Sequence, residues 1–257
     1  MASSFATRKG MSRILDGIVK YRQTLRPSLL EEFKKVATGP SPEGLLLTCV
    51  DSRVVASRMI QAVPGQLFIV RNPVPHHNCF RNHVTVGGEC GALELACSIN
   101  KVQVIVVIGH SDCKAMNLLY SIRNDLQSPS KGPLEDLLRV HGRGTVEQFK
   151  KLEMSTGFDR KLKFAGAQHY EDDFEAYIDP HNQFKPSDKF SQINTLEQLK
   201  NFLSYPFLKE RLNRNELEVH ALWTDISEGE VYMFSFKEKT FVKIDEISYK
   251  TLSLECI

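Results

Sequence analysis

Apolar residues follow two spacings along this chain, and the alternation between them outlines its parts. Gly44–Val50 (GLLLTCV) and Val102–Ile108 (VQVIVVI) are short, continuous apolar runs bounded by turn residues. Such runs predict strands buried on both faces, as in a parallel sheet. Gln66–Arg71 follows a Pro-Gly turn and predicts a third strand. Cys90–Ile99 and Ala115–Ile122 carry apolar residues at helical spacing. Strands alternating with helices predict an α/β fold built on a mostly parallel, doubly wound sheet. Upstream, Leu29, Leu30, Phe33 and Val36 mark a helix that a Gly39–Pro42 turn ends. Downstream, residues 124–192 are polar and hold Pro129, Pro133, Pro180 and Pro186, which predicts short helices and loops decorating the sheet. Helical spacing resumes over Gln192–Arg214. Val219–Trp223 and Val231–Phe236 alternate about a Ser227–Gly229 turn, which predicts a terminal hairpin and an antiparallel edge strand.

The first 26 residues change the picture. They carry Arg8, Lys9, Arg13, Lys20, Arg22 and Arg26 against one acid, Asp16, with Ile14, Ile18 and Tyr21 at helical spacing. The expectation is an amphipathic helix that packs on the domain or on a partner subunit. A mitochondrial transit peptide is the other reading, but the helical pattern runs on into Ser28–Ala37, and cleavage would cut it. Two regions follow: an N-terminal helical arm over 1–38 and an α/β domain over 39–257. A cytoplasmic location is expected, with mitochondria as the alternative.

Composition excludes more than it selects. The 257 residues are 42% hydrophobic and 25% charged, with a net charge of +2 spread along the chain. No clustered basic face marks a nucleic-acid partner. No apolar run reaches the roughly 18 residues of a membrane span, and the apolar core of a secretory signal is missing. The six cysteines are irregularly spaced in a large chain, unlike a disulfide scaffold, so thiols free for a metal are expected. Cys79, Cys90 and Cys97 read as core or loop thiols rather than a redox set.

Two segments carry the chemistry. Cys49-Val50-Asp51-Ser52-Arg53 follows the first buried strand, and His110-Ser111-Asp112-Cys113 follows Val102–Ile108 and Gly109. In open α/β sheets, sites form outside the carboxyl ends of the strands. If these two strands are neighbours, the segments converge. Cys and His are preferred zinc ligands, and a Cys₂His set leaves a fourth tetrahedral position open. Cys113 also opens a predicted helix, whose dipole favours its thiolate. Asp51 has two possible roles: fourth ligand, or partner of Arg53 in a bidentate contact that leaves the position to water.

These segments resemble the β-class carbonic anhydrases, the animal branch in particular. The resemblance rests on CVDSR (Cys49–Arg53), PGQLFIVRN (Pro64–Asn72), GALELA (Gly91–Ala96), VIGHSDCKAM (Val107–Met116) and HALWTDISEGEVYMF (His220–Phe234), and spans about residues 12–247. It implies a zinc lyase that interconverts carbon dioxide and bicarbonate by zinc-bound hydroxide. Cys49, His110 and Cys113 match the family's zinc ligands, Asp51 and Arg53 its Asp–Arg dyad, and Phe68 an apolar residue beside the substrate. It also implies a homodimer or homotetramer whose N-terminal helices wrap the partner. The chain departs from the plant-type pattern at Pro40, Leu95 and Lys114, and carries Leu46 where the bicarbonate-gated subclass has Trp.

On that reading Asp51 orients the hydroxide and Arg53 holds Asp51. His76, His77 and His83 are candidates for relaying the proton, though solvated histidines are the plainer reading. Asp112 is expected to point to solvent and Trp223 to pack in the sheet. Rival functions keep the same residues: hydrolysis of carbonyl sulfide or carbon disulfide, a non-catalytic zinc-binding dimer closed by Asp51, or thiol redox chemistry at Cys49 and Cys113.

Overall fold

The computed structural model describes residues 10–72, 88–155, 161–165, 173–203 and 205–256. The histidine loop at 76–83 and Cys79 lie outside them. Strands β1 (Gly44–Cys49), β2 (Leu67–Asn72), β3 (Val104–His110), β6 (Glu218–Asp225), β7 (Glu230–Ser235) and β8 (Thr240–Lys243) form one sheet in the order β2-β1-β3-β6-β7-β8. The first four are parallel, and β7 and β8 run antiparallel. The expected α/β sheet is therefore present, with an antiparallel edge of two strands rather than one. Val219–Trp223 belongs to β6, which joins the parallel set and the hairpin at once. A separate two-stranded sheet pairs β4 (Lys161–Phe164) with β5 (Phe174–Tyr177), where the sequence pattern predicts only helices and loops.

The chain order explains the site's position. β1 lies between β2 and β3, and Leu45, Leu46 and Leu47 are fully buried. A strand covered on both faces can be apolar at every position, and β1 is buried throughout. The chain leaves β1 toward β2 on one side and returns to β3 on the other. Cys49 therefore sits at a switch in strand order, where an α/β sheet opens a crevice.

One face of the sheet is covered thickly. α5 (Lys114–Ile122), α6 (Pro133–His141), α7 (Arg143–Met154) and α8 (Pro186–Leu203) supply a core with Leu119, Leu138, Phe149, Phe190 and Leu196. α8 is buried around nearly its whole circumference, including Asp188, Gln192, Asn194, Thr195 and Gln198. It begins six residues before the apolar spacing resumes, and Pro206 at the first turn of α9 (Pro206–Asn213) divides it from the remainder of the predicted helix. The opposite face has a small core of Leu46, Val54, Ala56 and Ile108.

α1 (Met11–Thr24) and α2 (Arg26–Ala37) bury no residue. Met11, Ile14, Leu15, Ile18, Val19 and Leu25 all face solvent in the single chain. Cys90–Ile99 is helical as expected: α4 (Gly88–Glu94) continues as a π-turn through Leu95–Ile99. Cys97 is a buried free thiol, whereas Cys90 is disulfide-bonded, contrary to the expectation of free thiols throughout. No helix among the described residues is long and apolar enough to cross a membrane.

Candidate metal centre

β1 and β3 are hydrogen-bonded neighbours, with Thr48 opposite Ile108. Their carboxyl ends therefore lie side by side, and the two loops that follow must meet. Cys49, His110 and Cys113 are all buried, and one ligand atom from each lies within 4.8 Å of the others. Cys49 Sγ and Cys113 Sγ are 3.9 Å apart. Two thiolates on one tetrahedral zinc, with Zn–S of about 2.3 Å, stand about 3.8 Å apart. The pair is thus already spaced for a common ion.

The imidazole is aimed by its other nitrogen. His110 Nδ1 lies 2.8 Å from the Ser111 carbonyl, which can only accept, so Nδ1 carries the proton and Nε2 has a free lone pair. Nε2 is buried and has no hydrogen-bond partner. An orphaned buried acceptor beside two thiols is costly unless something binds it. The donor set and its geometry fit zinc.

The backbone around these ligands is pinned from several elements. Ser191 Oγ on α8 donates to the His110 carbonyl at 2.7 Å and accepts from Trp223 Nε1 at 3.2 Å. Ser111 Oγ donates to Asp225 at 3.0 Å. Arg71 Nε donates to the Cys49 carbonyl at 3.0 Å, and its Nη2 to the Asp51 and Val54 carbonyls at 2.6 and 2.8 Å. At Gly109 a Cβ would come within 1.9 Å of Thr195 Oγ1. Only a glycine lets α8 approach β3 this closely, one residue before His110.

Charge follows the geometry. The hydrogen bond from the Cys113 thiol, aided by His110, pulls the Cys49 thiol down to about 4. The same hydrogen bond, with burial, drives Cys113 upward, although the Met116 and Ala115 amides of the helix start oppose this. One proton is shared by two thiols, and a cation would take its place. Burial, the largest single influence, lowers His110, but the neighbouring Cys49 sulfur, the Ser111 carbonyl and the Asp51 charge together raise it.

Asp51 stands outside the cluster. Arg53 Nε donates to Oδ1 at 3.0 Å and Nη2 to Oδ2 at 2.8 Å, while the Arg53 N–H donates to Oδ1 at 3.0 Å. Both carboxylate oxygens are engaged, and the guanidinium holds Asp51 well below the usual carboxylate range. Asp112, expected to point to solvent, is half exposed and also clamps the far side of Arg53. Nη1 donates to Asp112 Oδ2 at 2.9 Å and Nη2 to the Asp112 carbonyl at 2.9 Å. The turn that brings Asp112 to Arg53 has φ +49° at Asp112, whose N–H donates to Asp188 at 2.7 Å. Asp112, Arg71 and Ser191 were not singled out as functional by sequence reasoning. Asp112 and Arg71 carry a weak signal in lying next to the ligand segments and at the end of the neighbouring strand, whereas Ser191 is 81 residues from His110 and carries none.

Phe68 is not brought to this cluster within one chain. It pairs with Leu45, four residues before Cys49, or about 13 Å along the strand. Trp223 is fully buried, as expected of a sheet packing residue. A cavity of ≈ 20 Å³ beside the ligands is lined by Val107, Met116, Asn194 and Thr195 among others, about the space of one water molecule.

A buried Cys-His-Cys set at the carboxyl ends of parallel strands is the donor set of a zinc enzyme. The family model described as carbonic anhydrase matches residues 44–231. The chain is 38% identical over 256 residues to beta carbonic anhydrase 1 of Caenorhabditis briggsae, covering 95% of this chain and 92% of the relative. The structure of the beta-carbonic anhydrase CcaA superimposes with a TM-score of 0.70 at 28% identity, covering 92% of each chain. A tetrameric beta-carbonic anhydrase of Sordaria macrospora shares the fold, with a TM-score of 0.57 at 21% identity over 88% of this chain and 94% of its own. This chain belongs to the carbonic anhydrase family, in its β class. It is a zinc-dependent carbonate dehydratase, a lyase that reversibly hydrates carbon dioxide to bicarbonate and a proton.

Proposed function

We propose that Cys49 Sγ, His110 Nε2 and Cys113 Sγ hold the zinc, and that Asp51 stays on Arg53 and leaves the fourth position to water. The carrying observation is the partnerless His110 Nε2 facing two thiols 3.9 Å apart, while both Asp51 oxygens are bound elsewhere. Zinc supplies a Lewis acid that lowers the pKa of water to about 7 and so provides a nucleophile at neutral pH. The protein's part is orientation. Arg53, braced by Asp112, keeps Asp51 ionised and fixed as an acceptor two residues after Cys49, where it would take a hydrogen bond from the attacking water and aim its lone pair. Ser191 and Arg71 hold the backbones of His110 and Cys49 against drift. The test is carbon dioxide hydration from about pH 6.5 to about pH 9 with zinc quantified. An active, flat profile supports the open site, and activity only at the alkaline end means that Asp51 closes it.

We further propose that residues 1–38 form an arm that packs on a second copy of the chain, giving a homodimer or homotetramer. Two helices that bury nothing, with an apolar stripe through Ile14 and Ile18, support this, as does the tetrameric state named for the Sordaria relative. Phe68 can stand beside the substrate only if another copy completes the pocket. Sedimentation of the chain with and without residues 1–38 separates dimer, tetramer and monomer. A cytoplasmic location, with mitochondria as the alternative, rests on the near-continuous helices from Met11 to Ala37 and on the free thiols of the site. Imaging a C-terminal fluorescent fusion decides it.

A further inference from the structure

A second set of ligand-type side chains lies at the opposite end of the parallel strands. Glu218 and His220 are two residues apart on β6, so both project from the same sheet face, the one turned away from α8. In register, His220 pairs with Val106 while the catalytic-site His110 pairs with Thr224. The two histidines are thus about 13 Å apart along the strands. His220 Nε2 meets Glu218 Oε2 at 2.7 Å.

The last turns of the chain bring a thiol to this pair. After β8 come α10 (Tyr249–Leu252) and a single 3₁₀ turn, Ser253–Glu255. Leu252 is buried, and Glu255 accepts from Ser235 Oγ at 2.7 Å at the end of β7. The next residue is Cys256, a free thiol. One ligand atom from each of Glu218, His220 and Cys256 lies within 4.8 Å of the other two. Burial first, and then the carboxylates of Glu218 and Glu255, push the Cys256 thiol up, so this thiol sits among negative charge that a cation would neutralise.

We propose that Glu218, His220 and Cys256 form a second site for a zinc-type divalent ion, separate from the catalytic one. Thiolate, imidazole and carboxylate together select a borderline metal of that class over calcium or magnesium. Nitrogen and oxygen ligands of one tetrahedral zinc stand about 3.3 Å apart, a little wider than the existing pair. Glu218, with 42% of its side chain exposed, is free to make that adjustment. Water fills the fourth position. The ion would fasten the end of the chain to β6.

The test uses the full chain with its catalytic zinc in place, dialysed against metal-free buffer and titrated with cobalt(II). Wild type should take up one further equivalent with the near-ultraviolet absorption of a cobalt–thiolate bond. Cys256→Ser and His220→Ala should each lose that equivalent and its band while keeping the first metal and full hydration activity. Absence of the extra equivalent in wild type, or its retention in either variant, overturns the proposal. Failure of the Cys49-His110-Cys113 assignment would appear separately, as loss of neither zinc nor activity in Cys113→Ser.

Discussion

The two thiol-bearing clusters lie at opposite ends of the parallel strands and are built on different principles. At the carboxyl end, several elements converge, and the carbonyls of two ligands are themselves bonded, Cys49 by Arg71 and His110 by Ser191, while the Ser111 hydroxyl between the other two ligands is held by Asp225. The ligands are buried and their spacing is set before any ion arrives. At the amino end, two side chains of one strand meet the tail, and Glu218 is half exposed. There the ion would complete the geometry instead of finding it. The contrast separates a site that must orient a reaction from one that needs only to bind.

The largest effect is expected from Cys113→Ser, which should abolish zinc retention and reduce hydration to background, measured by stopped flow with metal analysis. A fully active serine variant would break the contrast at its root. Next, Arg53→Ala should keep zinc but lower kcat by about 10–100-fold, as loss of a group that orients a metal site does. Arg53→Lys should recover little, because an ammonium cannot reproduce the two-pronged contact with Asp51. Ser191→Ala leaves Trp223 Nε1 buried without its partner and should cost about 1–3 kcal/mol of stability, read as a lower Tm. Asp112→Ala removes an exposed clamp, for which roughly 0.2–1 kcal/mol is ordinary, so kcat should fall only a few-fold.

The smallest effect concerns Glu89, which accepts from Asn72 Nδ2 at the end of β2, beside Cys49. Burial raises its carboxyl from 4.5 to about 7. The folded chain therefore holds a proton that the unfolded chain has lost between those two values. Stability contributed by this group falls as pH rises through that window. Glu89→Gln should raise Tm at about pH 8 and leave it nearly unchanged at about pH 4. Equal shifts at both would sever Glu89 from that pH dependence.

Much of the site could be read from the chain because its information is local. β1 and β3 are largely apolar runs that end on Cys49 and His110, so strand ends and chemistry share one stretch of sequence. What escaped was carried by long-range geometry. Asp112 meets Arg53 across 59 residues through a left-handed turn, and no spacing rule encodes that. α8 begins at Pro186 unannounced because it is buried on nearly all sides, so its polar residues do not mark a solvent face. β4, β5 and β8 are four residues each, too short for alternation to stand out, and they form only because partners lie beside them.

The all-round burial of α8 has a consequence for how the molecule comes apart. Buried polar side chains such as Gln192, Asn194 and Gln198 give this helix little reason to persist alone in water. Its amides should exchange with solvent only when the sheet and the outer helices open together, giving protection close to the global unfolding free energy. Because Ser191 and Thr195 are the points at which α8 touches His110 and Gly109, the metal centre would dissolve in that same cooperative event rather than by local fraying.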